Sequence, residues 1–160
     1  MLEGIKKNWI VAIFAFAIVF TAVPSLAYAK AHMGGRVSIN LNPGLHSGVE
    51  YGIGADLGWY SDKTWTLINA GGSIAYNPWD ESFPMTDYVN VIQGVAKWLA
   101  LGVSGFIYIP LPEKKVYPGL VGIVDFIIKE FDIALIGGVI WAPKPGPSFG
   151  IQFGYNFTVI

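Results

Sequence analysis

His46, Ser47 and Glu50 fall in one short stretch of the chain, and a histidine oriented by a carboxylate can take the proton of a serine hydroxyl. With Ser148 as a second candidate nucleophile, such a set would do acyl chemistry as a hydrolase or acyltransferase. Nothing in the spacing aligns the groups, so the plainer reading is a histidine at a turn and a glutamate in a buried polar network. No catalytic residue is assigned, and a non-enzymatic role is the expectation. After the first 29 residues only His32 and His46 remain as imidazoles, cysteine is absent and no carboxylates cluster at ligand spacing, so no metal is expected. The glycines recur at alternate positions and do not lead into a helix, which excludes a phosphate loop and leaves no cofactor to expect. A formal net charge of −1, with Lys114-Lys115 the one adjacent pair of cations in that stretch, excludes nucleic acid as a partner.

The element that carries Glu50 is the clearest in the sequence. Leu45, Val49, Tyr51, Ile53, Ala55, Leu57 and Trp59 share one parity, and His46, Gly48, Glu50, Gly52, Gly54, Asp56 and Gly58 the other. A period of two is a strand. The C-terminal segment repeats it, with Phe149, Ile151, Phe153, Tyr155, Phe157 and Val159 opposite Ser148, Gly150, Gln152, Gly154, Asn156 and Thr158. One face is apolar and aromatic, the other small and polar, as in a strand between lipid and a narrow polar lumen. Further strands are expected at Arg36–Asn42, Thr64–Tyr76, Asp87–Trp98, Gly102–Leu111, Leu120–Ile127 and Asp132–Trp141, giving eight in all. Residues 86–101 also fit a helical stripe through Val89, Ile92 and Leu99, with Thr86 or Asp87 as N-cap and Gly102 as stop, so strand and helix both stay open there. Leu120–Ile127 is apolar on both parities and its orientation has no account.

Asn-Pro-Gly at 42–44, the segment 77–84, Pro112–Pro118 and Pro143–Pro147 form long connections that alternate with short ones. That alternation suits a barrel with both termini on one side of a membrane. Trp59, Trp65, Trp98 and Trp141 are then candidate interface aromatics. Arg36, Asn40, Glu50, Asp56, Gln152 and Asn156 share the inward face as a candidate lumen network, with Arg36 the nearest cation for the carboxylates and Lys97 a weaker one.

At the N-terminus, Lys6 and Lys7 precede an apolar run from Trp9 to Val23 that ends at Pro24 and Ala27-Tyr28-Ala29. The run is shorter than the roughly 20 residues of a spanning helix. It has the layout of a secretory signal peptide cleaved after Ala29, leaving 30–160 as one barrel domain. Charged residues make up 13% of the chain, against about 25% in soluble domains.

The last strand resembles that of outer-membrane β-barrel proteins, in which a polar residue is followed two positions later by glycine and then by alternating aromatic or apolar residues. Gln152, Gly154, Phe157 and Val159 carry the match, while Ile160 stands where the family usually ends on an aromatic. The resemblance implies that these residues are read by the barrel assembly machinery and that the outer membrane is the destination. By strand count residues 36–160 resemble the small eight-stranded barrels of the outer-membrane protein A and X type. The expected fold class is an all-β, antiparallel, up-and-down transmembrane barrel preceded by the signal peptide. An interior of that size is filled by side chains, so a plugged barrel with a structural or interaction role is expected. The bilayer is its main partner, and a protein partner is a candidate at the Asn77 to Thr86 loop. A narrow channel or oligomeric pore, a lipid-modifying enzyme and a soluble periplasmic lipocalin-like barrel are the alternatives; none of the His-Ser motifs of barrel deacylases is present.

Overall fold

A computed structural model describes residues 30–43, 48–111, 115–142 and 145–159, with side chains described as far as Asn156. Residues 1–29, where a signal peptide is expected, and the pair His46 and Ser47 lie outside the described residues. The strands are β1 (Lys30–Leu41), β2 (Val49–Ser61), β3 (Thr66–Tyr76), β4 (Met85–Ala96), β5 (Leu99–Ile109), β6 (Tyr117–Ile128), β7 (Phe131–Trp141) and β8 (Pro145–Val159). Each pairs antiparallel with the next, and β8 returns to β1, closing the barrel. At 11 to 15 residues they are long enough to cross a bilayer at a tilt.

Several boundaries differ from the sequence expectation. β1 begins at Lys30 and not at Arg36, because Gly34-Gly35 mutes an alternation that the ladder to Gly58, Leu57, Asp56 and Ala55 restores. Residues 85–96 are strand: β3 and β5 take up the backbone groups on both sides, and a helix there would leave both ladders unpaired. The hairpin turn after β4 is at Lys97-Trp98, with a bulge at Val95 just before it, so β5 starts at Leu99 and not Gly102. β8 reaches back through Pro147 to Pro145, where it pairs only with β7 and has run past the end of β1. A proline without an N–H is tolerated on such a free edge. The β7–β8 connection, expected to be long, is therefore confined to 142–144.

Side chains sort by parity around the whole circuit. Outward stand Val37, Ile53, Leu57, Val89, Leu101, Leu120, Leu135, Ile151 and Phe153, all exposed, with Ile53 at 65%. This is the reverse of a lipocalin-like arrangement, which would turn the apolar parity inward. Near the end that carries the termini, the outward aromatics are Trp59, Trp98 stacked on Phe126 (6.5 Å between centroids), and Phe131 edge-on to Tyr155 (4.9 Å). Toward the other end stand Tyr51, Trp141, Phe149, and Tyr76 against Phe83 (5.1 Å). Two aromatic belts thus bracket an apolar band, the exterior of a barrel immersed in lipid.

The inward faces divide laterally. β8, β1 and β2 turn polar groups and glycines to the axis, with Asn69, Gly71 and Ser73 of β3, while Ile92, Ala100, Ile123 and Ala134 from β4 to β7 form a buried apolar cluster with Leu67 and Ile127 against it. This explains β6: Val121 and Ile123 are as buried as Asp125 on the inward parity, and Leu120 and Val124 face out. A strand lining the apolar half of a lumen has no polar parity to read.

Candidate functional site

Inside the barrel the polar half is organised by carboxylates. Asp56 on β2 is fully enclosed and accepts from Arg36 Nε (2.6 Å) and Asn69 Nδ2 (2.6 Å), lies 3.1 Å from His32 Nε2, and receives Tyr88 OH at 3.4 Å. The same guanidinium reaches past β8, where Arg36 Nη1 donates to Asp132 Oδ1 on β7 at 3.0 Å. Asn156 on β8 donates to the other oxygen of Asp132. Six strands, β1 to β4 with β7 and β8, are tied together around the Arg36 guanidinium and two carboxylates, each with charge-assisted hydrogen bonds that offset its removal from water.

A second cluster lies nearer the long loops. Glu50, 2% exposed, accepts from Asn42 Nδ2 (3.1 Å) and from the hydroxyl of Tyr108. Ser148 Oγ donates to Asn42 Oδ1 at 2.7 Å, and Asn40 Nδ2 to Ser38 Oγ at 3.1 Å. Ser148 is thus engaged with an amide, and His46, the candidate base for it, lies outside the described residues.

Of the six expected lumen residues, Arg36, Asp56 and Asn156 meet in the first network, while Asn40, Glu50 and Gln152 surround a small cavity of about 70 Å³ on the loop side. Arg36 serves Asp56 and Asp132, while Asn42 and Tyr108 are among the donors that reach Glu50. Asp132, His32, Asn69, Tyr88, Asn42 and Tyr108 belong to these clusters but were not singled out for them from sequence. Tyr88 shares the even, inward parity of Asn90 and Ile92. That parity was the available signal, hidden by the competing helical stripe.

The aromatic candidates divide. Trp59 and Trp141 face outward on β2 and β7, and Trp98 sits in the β4–β5 turn with its ring outside. Trp65 differs from the expectation: it lies in the β2–β3 turn at φ 53°, takes the inward parity of Leu67 and Asn69, and lines the mouth of the lumen. Its carbonyl accepts from Gly94 N at 2.7 Å, which pins the turn to β4. Of the expected assembly residues, Gln152 and Gly154 face inward and the side chains of Phe157 and Val159 lie outside the described part. Among the described residues no group of histidines and carboxylates is placed to hold a metal ion.

The mouth beside Trp65 opens into a larger cavity of about 400 Å³, whose walls include His32, Arg36, Leu67, Ile92, Asp125 and Asp132. The two cavities share no lining residue, and the Arg36 network lies between them.

No protein-family model matches the chain, and no curated protein sequence does. Similar solved structures exist. A de novo designed transmembrane β-barrel superposes with a TM-score of 0.55 at 9% identity, covering 79% of this chain and 95% of its own. The solution structure of the designed barrel TMB2.3 gives 0.58 at 11% identity, covering 82% and 97%. Ail, the attachment invasion locus protein of Yersinia pestis, gives 0.42 at 9%, covering 81% and 97%. The two designed barrels share the fold, and with its eight strands closed on themselves and its apolar exterior the chain is in fold an eight-stranded antiparallel transmembrane β-barrel.

Proposed function

We propose that the protein is a non-conducting barrel of the outer membrane with a structural or interaction role. It would be exported by residues 1–29 and inserted by the barrel assembly machinery through a last strand marked by Gln152, Gly154, Phe157 and Val159. The observation that carries the proposal is the Arg36 side chain, which spans from Asp56 to Asp132 between two cavities that share no lining residue. An ion crossing this layer would have to displace a guanidinium from two enclosed carboxylates, which is costly in a low-dielectric interior. The interaction role has a surface in the β3–β4 loop. Asn77 and Ser82 form a bridge there, Asn77 Oδ1 accepts from Trp79 N at 3.0 Å, and Asp80 Oδ1 from Ser82 N at 3.1 Å. This framework holds Trp79 at 73% exposure, packed over Gly48 of the neighbouring loop, where φ of 112° admits glycine and little else. A preordered aromatic on a polar loop suits a protein partner, since such residues dominate contact energies.

Planar-bilayer recording of the refolded chain tests the first part: no conductance above the protein-free baseline is expected, and sustained channel openings would overturn it in favour of the narrow channel. Fractionation of the processed protein should place it in the outer membrane; recovery from soluble periplasm would contradict that address.

A further inference from the structure

The larger cavity contains a group that the Arg36 network does not use. Asp125 is 6% exposed, points inward from β6, and its Oδ1 has no hydrogen-bond partner among the described residues. Its neighbours across the ladders are Ala100 on β5 and Ala134 on β7, both small, and Asp125 itself lines the cavity. Ile92 and Ile123 pack with these alanines, and Leu67 and Ile127 lie alongside. An orphaned carboxylate oxygen is thus set in an apolar wall, with Trp65 at the entrance.

The charges around it are not balanced. Arg36 is committed to Asp56 and Asp132, and Lys97 and Lys129 stand exposed at the rim of the same cavity. Three buried carboxylates, Asp56, Asp125 and Asp132, therefore share one guanidinium and the His32 imidazole. A buried carboxylate without a donor is expensive, and a bound cation relieves it. The volume of about 400 Å³ is in the range of small-molecule sites. A bare metal ion would meet Arg36, Lys97 and Lys129 on the same walls and an Asp132 already engaged by Arg36, a poor match for cations that want six or more oxygens.

We propose that this cavity is a binding site for a small water-borne organic amine, whose ammonium group donates to Asp125 and whose apolar body lies against Ile92, Leu67 and Ile127. The mouth faces the side of the termini, so the ligand enters from the compartment that holds them. Arg36 stays in place, so the site is compatible with a non-conducting lumen and does not depend on it.

The test uses the refolded chain in a nonionic detergent with labelled alanine methyls. Benzylamine is the probe and benzyl alcohol its uncharged counterpart. Saturable shifts of the Ala100 and Ala134 methyls are expected with benzylamine, with binding of benzyl alcohol weaker by about tenfold or more, as expected when a charge pair is lost. Asp125→Asn, which keeps the shape of the side chain, should remove the preference for the amine. Equal affinity for the two probes, or no saturable shift at these methyls, would overturn the proposal using the unaltered chain alone. An Asn variant that folds and still prefers the amine would overturn the role of Asp125. None of these readouts involves conductance, so failure here is separate from failure of the closed-lumen reading.

Discussion

At the scale of single residues, Arg36 holds the interior together. Its guanidinium answers two enclosed carboxylates on strands that are not neighbours, so removing it leaves both without their cation. Replacement of one partner in a buried ionic group costs about 3–5 kcal/mol, whereas exchanging the whole group for apolar residues can be neutral. Arg36→Met should therefore destabilise the barrel by about that amount, measured by equilibrium denaturation in detergent. Adding Asp56→Asn and Asp132→Asn to it should recover part of the loss; a single variant as stable as the parent would refute the role. Arg36 and Asp56 were legible in the sequence because each lies on a strictly alternating segment. Asp132 was not, since it follows the turn at Lys129-Glu130 directly, where an acidic residue reads as turn chemistry. Asp125 was hidden differently: with Val124 and Phe126 beside it and Val121 and Ile123 on its own parity, no periodic signal marks its direction.

Among the elements, legibility followed the environment of each inner face. β2 and β8 line the polar half of the lumen, so their inner parity contrasts with lipid-facing residues and the alternation is plain. β6 lines the apolar half, where both faces select the same residue types. β4 is intermediate: Asn90 and Tyr88 face inward beside Ile92, and the outward Val89 and Val91 complete a pattern that a helix could share. Its ladders decide the matter. If β4 spans the bilayer as the fold requires, a charge on its outward face must enter hydrocarbon. Val89→Arg, at a position 53% exposed near the middle of the strand, should cost about 2–4 kcal/mol when stability is measured in lipid. A much smaller loss is expected when the same variant is measured in micelles, where water is nearer. Equal losses in both media would argue that Val89 does not face lipid.

The whole molecule turns the usual distribution inside out. Its enclosed residues include Arg36, Glu50, Asp56, Asp125 and Asp132, and its exposed ones are chiefly large and apolar. Water would face an unbroken apolar band far larger than the patches soluble monomers tolerate. The mature chain should accordingly need detergent to remain monodisperse, and should migrate differently on a gel before and after boiling as the closed sheet opens. A soluble monomer in plain buffer would contradict the fold's orientation. Export, low charge and alternating strands all pointed to this architecture in the sequence, while the lateral division of the lumen emerged only once the sheet was closed.

Closure itself has a kinetic side. Every strand pairing except one joins neighbours along the chain, so most of the ladder can zip from local hairpins at small entropic cost. The seam between β1 and β8 is the exception and must wait for the ends to meet. Arg36 sits on that seam. Its bond to Asp56 lies within the β1–β2 hairpin and is available early, but its bond to Asp132 joins β1 to β7 and can form only when the circle is complete. The side chain that bridges the two carboxylates thus acts as a latch, engaging the second of them as assembly ends and holding the seam shut.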